Sequence, residues 1–282
     1  MALSTRRRAL VIVAVAVAAA LLVPLLRPAW VVRALARRAP DVLYFVDTAH
    51  PVVALTIDDG PDSASTPLIL DVLARHQARA TFFLIADRVR GHEPLLGRMR
   101  AEGHELGNHL TRDEPSVRLS AAEFERELMA AHRVLAAHAE PRWFRPGAGW
   151  FSEGMLATLR RHRYACALGS VYPFDAAIPW SWFASRYVLG HVEPGSIIVL
   201  HDAGARGRRT AATLRAVLPE LRARGFAVVT LSRLVQLSTA RTPRPDSSTA
   251  TAPRVPPRRS PSGRSRARGR WRGGAASCRS SA

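Results

Sequence analysis

Asp58 and Asp59 stand side by side after the run Val52-Val53-Ala54-Leu55-Thr56-Ile57 and before Gly60-Pro61. Side chains alternate along a strand, so neighbouring carboxylates leave the backbone in different directions. A turn at Gly60-Pro61 splays them further. One carboxylate can then hold a cation while the other stays free to take a proton. Adjacent like charges also repel, which costs stability unless a cation or an arginine compensates. The same residue types make ordinary polar turns, so the pair gains meaning only from what other segments add.

Three other segments add chemistry-bearing groups: Asn108-His109-Leu110-Thr111-Arg112-Asp113, Arg145-Pro146-Gly147-Ala148-Gly149-Trp150 and His201-Asp202. His109 and Asp113 are four apart, which places them on one face if that segment is helical. An aspartate, an imidazole and a second aspartate form a hard-to-borderline donor set, suited to a divalent metal with room left for water.

The elements that must position these groups follow from the apolar pattern. Candidate strands cover Val52–Ile57, Ala80–Ile85, Glu105–Asn108, Trp143–Arg145, Ala165–Gly169, Ser196–His201 and Phe226–Leu231. Between them lie helix-compatible stretches at Pro67–His76, Pro94–Gly103, Ala121–His138, Ser152–Arg163, Trp182–Val192 and Thr210–Arg224. Regular strand–helix alternation predicts a parallel α/β architecture, and this number of strands suits either a barrel or a doubly wound sheet. In parallel α/β folds the active site gathers at the C-terminal ends of the strands. All four polar segments fall at such ends.

Composition sets the surroundings. The chain has 282 residues, 48% of them hydrophobic, enough for one large core with extensions. All 41 basic residues are Arg, which we read as a compositional bias rather than a binding device. The net charge of +19 is uneven: +10 lies from Arg241 onward, +6 lies up to Asp41, and the residues between carry only +3. A nucleic-acid partner is therefore not expected. Cys166 and Cys278 stand far apart, one in a predicted strand and one in the tail, so no structural disulfide is expected.

Arg6-Arg7-Arg8 precede an apolar run from Ala9 to Leu26, broken only by Pro24, which reads as an uncleaved membrane anchor or a long signal segment. Either reading exports the following domain. From Ser238 the chain turns to Pro, Arg, Ser, Thr and Gly without apolar periodicity, as in a disordered tail. The expected organisation is residues 1–40 as anchor and linker, 41–237 as the domain, and 238–282 as tail.

Taken together, these segments resemble the motifs of the polysaccharide deacetylase family, the metal-dependent carbohydrate esterases with a NodB homology domain. The resemblance spans roughly residues 50 to 235. It implies a distorted (β/α) barrel of seven or eight parallel strands, a choice that spacing alone leaves open. Thr56-Ile57-Asp58-Asp59-Gly60-Pro61 is similar to the first motif, which implies Asp58 as general base and Asp59 as metal ligand. Gly103-His104-Glu105-Leu106-Gly107-Asn108-His109 leads into the second, which in the family supplies two metal histidines four residues apart. Here the first is His109, and Asp113 takes the second position. Arg145-Pro146-Gly147-Ala148-Gly149 resembles the third, implying that Arg145 orients Asp58 and that the backbone N–H of Ala148 binds the oxyanion. Val199-Leu200-His201 resembles the fifth, with His201 as general acid. Asp175 is the candidate for the acid that tunes this histidine, and Trp150 and Trp180 (or Trp182) the candidates for lining the substrate groove.

The implied activity is removal of N-acetyl groups from a GlcNAc-containing polymer such as peptidoglycan or chitin. A divalent metal, Zn²⁺ or else Mn²⁺ or Co²⁺, would lower the pKa of a water that Asp58 deprotonates. Alternatives on the same fold are hydrolysis of another C–N or O-acetyl bond, and a non-catalytic carbohydrate-binding wall protein.

Overall fold

A computed structural model describes residues 29–239. Eight strands alternate with helices. The strands are β1 (Val42–Leu43), β2 (Val52–Gly60), β3 (Ala80–Leu84), β4 (Glu105–Asn108), β5 (Trp143–Phe144), β6 (Ala165–Ala167), β7 (Ile197–His201) and β8 (Ala227–Val229). The helices are α1 (Ala29–Arg38), α2 (Thr66–Arg75), α3 (Glu93–Ala101), α4 (Ala121–Ala136), α5 (Glu153–Arg161), α6 (Ser181–His191), α7 (Gly204–Ala223) and α8 (Leu231–Thr239). All named strand pairs are parallel, in the order β1-β6-β5-β4-β3-β2-β7, with β8 against the start of β2. Just past β1, Phe45 bridges Ser196 beside β7, bringing the two ends of the order together. The arrangement is consistent with a distorted (β/α) barrel.

All seven strands expected from the sequence form, within a few residues at each end. The eighth, β1, is two residues long and too short to show a period. Helix α7 starts at Gly204, six residues before the expected Thr210, because Gly204, Gly207 and three arginines hide an apolar face. Helix α4 carries its own start signal: Ser120 Oγ accepts from the Glu123 N–H while the Glu123 carboxylate accepts from the Ser120 N–H.

Strand β2 is the centre of the design. Every residue from Val52 to Gly60 is buried, and the strand pairs with β3, β7 and β8. Leu55 and Ile57 join the main core with Phe82, Leu84, Leu106, Ile198 and Leu200, each such side chain worth about 1.5–3 kcal/mol on burial. A second cluster forms around Phe124 and Phe144, and Val32 of α1 packs into it.

Among the described residues, no helix is long and apolar enough to cross a membrane. The expected anchor at Ala9–Leu26 and nearly all of the expected disordered tail lie outside the described residues.

Candidate functional site at the C-terminal ends of the strands

The site is assembled by strand register. Asp58 stands opposite His201 of β7 and Phe83 of β3. The His109 N–H continues the ladder to Leu84 O, and the Arg145 N–H continues it to Asn108 O. Four segments distant in sequence therefore end side by side, at the place expected for a parallel fold.

The carboxylate pair is splayed by a different device from the one expected. Strand β2 does not stop at Ile57 but runs on to Gly60, and its register against β3 shifts between Asp58 and Gly60. Asp59 is the extra residue of this bulge, with a left-handed φ of 70°. A bulge re-aims one side chain without ending the strand. Asp58 thus faces Arg145 and Asp59 faces His109.

Asp58 Oδ1 accepts from Arg145 Nη1 at 2.7 Å, and both side chains are almost fully buried. The same Nη1 reaches Thr56 Oγ1 at 2.7 Å, while Arg145 Nε donates to Ala167 O at 3.0 Å. The guanidinium lies 4.2 Å from the centre of the Phe83 ring. It is held on three sides, and an arginine so fixed keeps Asp58 in one orientation.

His201 is held as firmly. Its Nδ1–H donates to Asp175 Oδ1 at 2.9 Å and its backbone N–H to Asp175 Oδ2 at 2.8 Å. Arg209 Nη2 donates to Asp175 O at 3.3 Å. The Tyr172 hydroxyl lies 3.4 Å from the other ring nitrogen, Nε2. Burial alone would lower the His201 pKa. The hydrogen bond and charge of Asp175, with the charges of Asp58 and Asp59, outweigh it and raise the pKa to about 9. The His201 ring is consequently held in its protonated form at neutral pH.

His109 donates from Nδ1 to Arg145 O at 2.7 Å, which turns Nε2 toward Asp59 Oδ1, 3.4 Å away. Burial opposes the charged form of Asp59. His109, His201 and Arg206 overcome it and bring the Asp59 pKa down to about 2. His109 is shifted upward, against burial, by its contact with Asp59 and the charge of Asp58.

Asp113 departs from the sequence expectation. The segment after His109 is not helical: Leu110 has φ 63°, and its N–H donates to the Asn108 side chain at 2.9 Å. That local bond turns the chain away, so His109 and Asp113 share no helical face. The Asp113 carboxylate instead pairs with Arg88 at 3.4 Å and Arg206 at 3.7 Å. Among the described residues, no group of three His, Cys, Asp or Glu side chains is placed to hold one ion.

Ala148 sits in a short 3₁₀ turn with φ 59°, exposed, beside Gly147. A Cβ at Gly147 would collide with the Glu114 carbonyl, so only glycine admits that approach. Trp150 is 68% exposed and Trp180 57%, the latter stacked on Trp182 at 6.2 Å.

The family model for polysaccharide deacetylase matches residues 45–167. A peptidoglycan-N-acetylglucosamine deacetylase of Bacillus cereus is 33% identical over 198 residues, covering 69% of this chain and 93% of that protein. The chain belongs to the polysaccharide deacetylase family. A chitooligosaccharide deacetylase of Bradyrhizobium is 35% identical, over 64% of this chain and 90% of its own length. Among solved structures, a family 4 acetyl xylan esterase from Clostridium thermocellum, in complex with a cobalt ion, superposes with a TM-score of 0.61 at 30% identity, covering 66% of this chain and 91% of that one.

In this polysaccharide deacetylase, Asp59 and His109 fit a divalent ion at two positions. Two donors each roughly 2.0–2.2 Å from a shared ion stand about 3.4 Å apart when it is tetrahedral, the separation seen between Asp59 Oδ1 and His109 Nε2. The His109 ring is also oriented by a carbonyl on its far nitrogen, as metal-ligating histidines usually are.

Sequence reading missed Thr56, Arg88, Tyr172, Arg206 and Arg209. Thr56 looks like one more strand residue, and an arginine carries little signal in a chain where every basic residue is one.

Proposed function

We propose that this polysaccharide deacetylase removes N-acetyl groups from a GlcNAc-containing polymer, peptidoglycan or a chitin-like chain. The observation that carries the reading is the pair of buried dyads, Asp58–Arg145 and His201–Asp175, set opposite each other by the β2–β7 register. A binding module needs neither a fixed base nor a fixed acid.

Asp58, held in place by Arg145, takes the proton of the attacking water. His201, charged against Asp175, delivers a proton to the sugar amine as acetate leaves. Ala148 lies exposed in a left-handed turn, and its backbone N–H would serve the developing oxyanion. Asp59 and His109 would hold a divalent cation, Zn²⁺ or else Mn²⁺ or Co²⁺. Such an ion lowers the pKa of water and polarises the acyl carbonyl. Trp150 and Trp180 offer exposed aromatic faces to sugar rings. The apolar run at Ala9–Leu26 behind three arginines supports an exported domain tethered to the membrane.

The full chain in detergent, supplied in turn with Zn²⁺, Mn²⁺ and Co²⁺, should release acetate from acetylated chitooligosaccharides or peptidoglycan and leave free amines. Asp58→Asn should lose nearly all of that release. Acetate release from acetyl xylan alone would assign an esterase instead, and no release from any of the three polymers would sink the reading.

A further inference from the structure

Arg206 is the side chain that meets both carboxylates of the expected donor set, Asp59 and Asp113. Its Nη1 lies 3.0 Å from Asp59 Oδ2 and its Nη2 3.7 Å from Asp113 Oδ2. Asp59 is thereby divided between two cations, with Oδ1 toward His109 and Oδ2 toward Arg206. We propose that Arg206 is a built-in counter-cation of the metal site: in the metal-free protein its guanidinium bridges Asp59 and Asp113, and a divalent ion binds Asp59 and His109 only by displacing it. The inference rests on the metal reading of Asp59 and His109 given above.

Three observations support it. First, the charge on an arginine cannot be titrated away, so while the guanidinium stays against Asp59 it repels any ion sharing that carboxylate. Second, the backbone is fixed while the side chain is not. At the next residue, a Cβ on Gly207 would land on Asp202 Oδ1 and Ser65 Oγ, so the first turn of α7 is locked against buried polar groups. Asp202 is itself fully buried, accepting from Ser65 Oγ at 2.6 Å and from Thr66. The Arg206 side chain, by contrast, is 31% exposed and can swing to solvent about that fixed base.

Third, Asp113 is placed to receive the arginine. It is half-exposed, on the loop turned aside at Leu110, and also paired with Arg88, whose Nη1 donates to the Asp59 carbonyl. Arg88 therefore ties Asp113 to the Asp59 backbone, leaving the Asp59 carboxylate to Arg206 and His109. The loop carboxylate is a latch for Arg206, and metal affinity in this chain is set by that exchange.

The test is Co²⁺ binding to the full chain, followed by calorimetry and by the visible spectrum of the bound ion. Arg206→Met should tighten Co²⁺ by about tenfold or more. Arg206→Lys, which keeps the charge, should stay within about threefold of the unaltered chain. His109→Ala should abolish binding in either background. If Arg206→Met leaves affinity unchanged or weaker while His109→Ala still abolishes it, the counter-cation role is wrong and the metal site stands. If Co²⁺ binds equally well after His109→Ala, or if neither the unaltered chain nor Arg206→Met binds it, the metal reading falls and the inference with it. Binding by Arg206→Met alone would be its strongest support.

Discussion

The two halves of the site are built to opposite standards. On the half proposed to transfer protons, Asp58 and His201 come from the paired strands β2 and β7, and each is gripped by a partner that is itself buried: Arg145 and Asp175. On the half proposed to hold a cation, Asp59 and His109 are equally buried, but what completes their surroundings comes from a loop and a helix start. Arg88, Arg206 and Asp113 there are between 31% and 47% exposed. The difference teaches where this fold spends rigidity. Proton transfer depends on fixed distances and orientations, whereas a cation site must let its occupant enter and leave.

The contrast can be broken most severely at Arg145. Arg145→Met leaves Asp58 buried without its partner, and denaturant unfolding should show a loss of about 3–5 kcal/mol. A loss under about 1 kcal/mol would mean that the first half is not the rigid one.

The next effect is on the alkaline side. His201 has its pKa raised to about 9 from 6.5, so it contributes stability that is fully present below pH 6.5 and lost as pH rises through 9. Unfolding free energy measured with a chelator present should decline across that window, by on the order of 3 kcal/mol at most. Asp175→Asn should flatten the decline and lower the alkaline limb of acetate release. An unaltered pH profile in the variant would refute the assigned partnership.

The cation half should show the opposite sign. Asp59, brought down to about 2 from 3.8, contributes stability that is present above pH 3.8 and lost as pH falls through 2. Asp59→Asn should remove part of the acid-side loss and, by taking away one of the charges that raise the His201 pKa, move the alkaline decline to lower pH.

The smallest effect belongs to Asp113. Its pairs are long and half-exposed, so Asp113→Asn should cost under about 1 kcal/mol in a thermal melt. A larger cost would make the loop part of the rigid half.

These expectations separate what local pattern reveals from what it hides. Strand–helix alternation and its polar strand ends located Asp58, His109, Arg145 and His201 together, because burial makes parallel strands apolar throughout and leaves polar groups only where the ladder ends. Asp113 was misplaced because spacing of four implies a shared face only on a helix. The Asn108 side chain, by bonding the Leu110 N–H, removes the helix. Strand β1 was invisible because two residues have no period. Arg206 was invisible because its meaning lies entirely in what it touches.

By itself, then, the sequence determined the order of the elements, the parallel architecture and the groups available at the strand ends. These follow from hydrophobic period and chain connectivity, which are written residue by residue. Only the tertiary structure decided how the Asp58 and Asp59 side chains are splayed apart, through a bulge set by register against β3. It also decided that Asp59 shares its carboxylate with Arg206 rather than with Asp113. Such choices depend on distances of a few ångströms between segments far apart in sequence, from 25 residues for Asp58 and Phe83 to 147 for Asp59 and Arg206, and no local pattern encodes them.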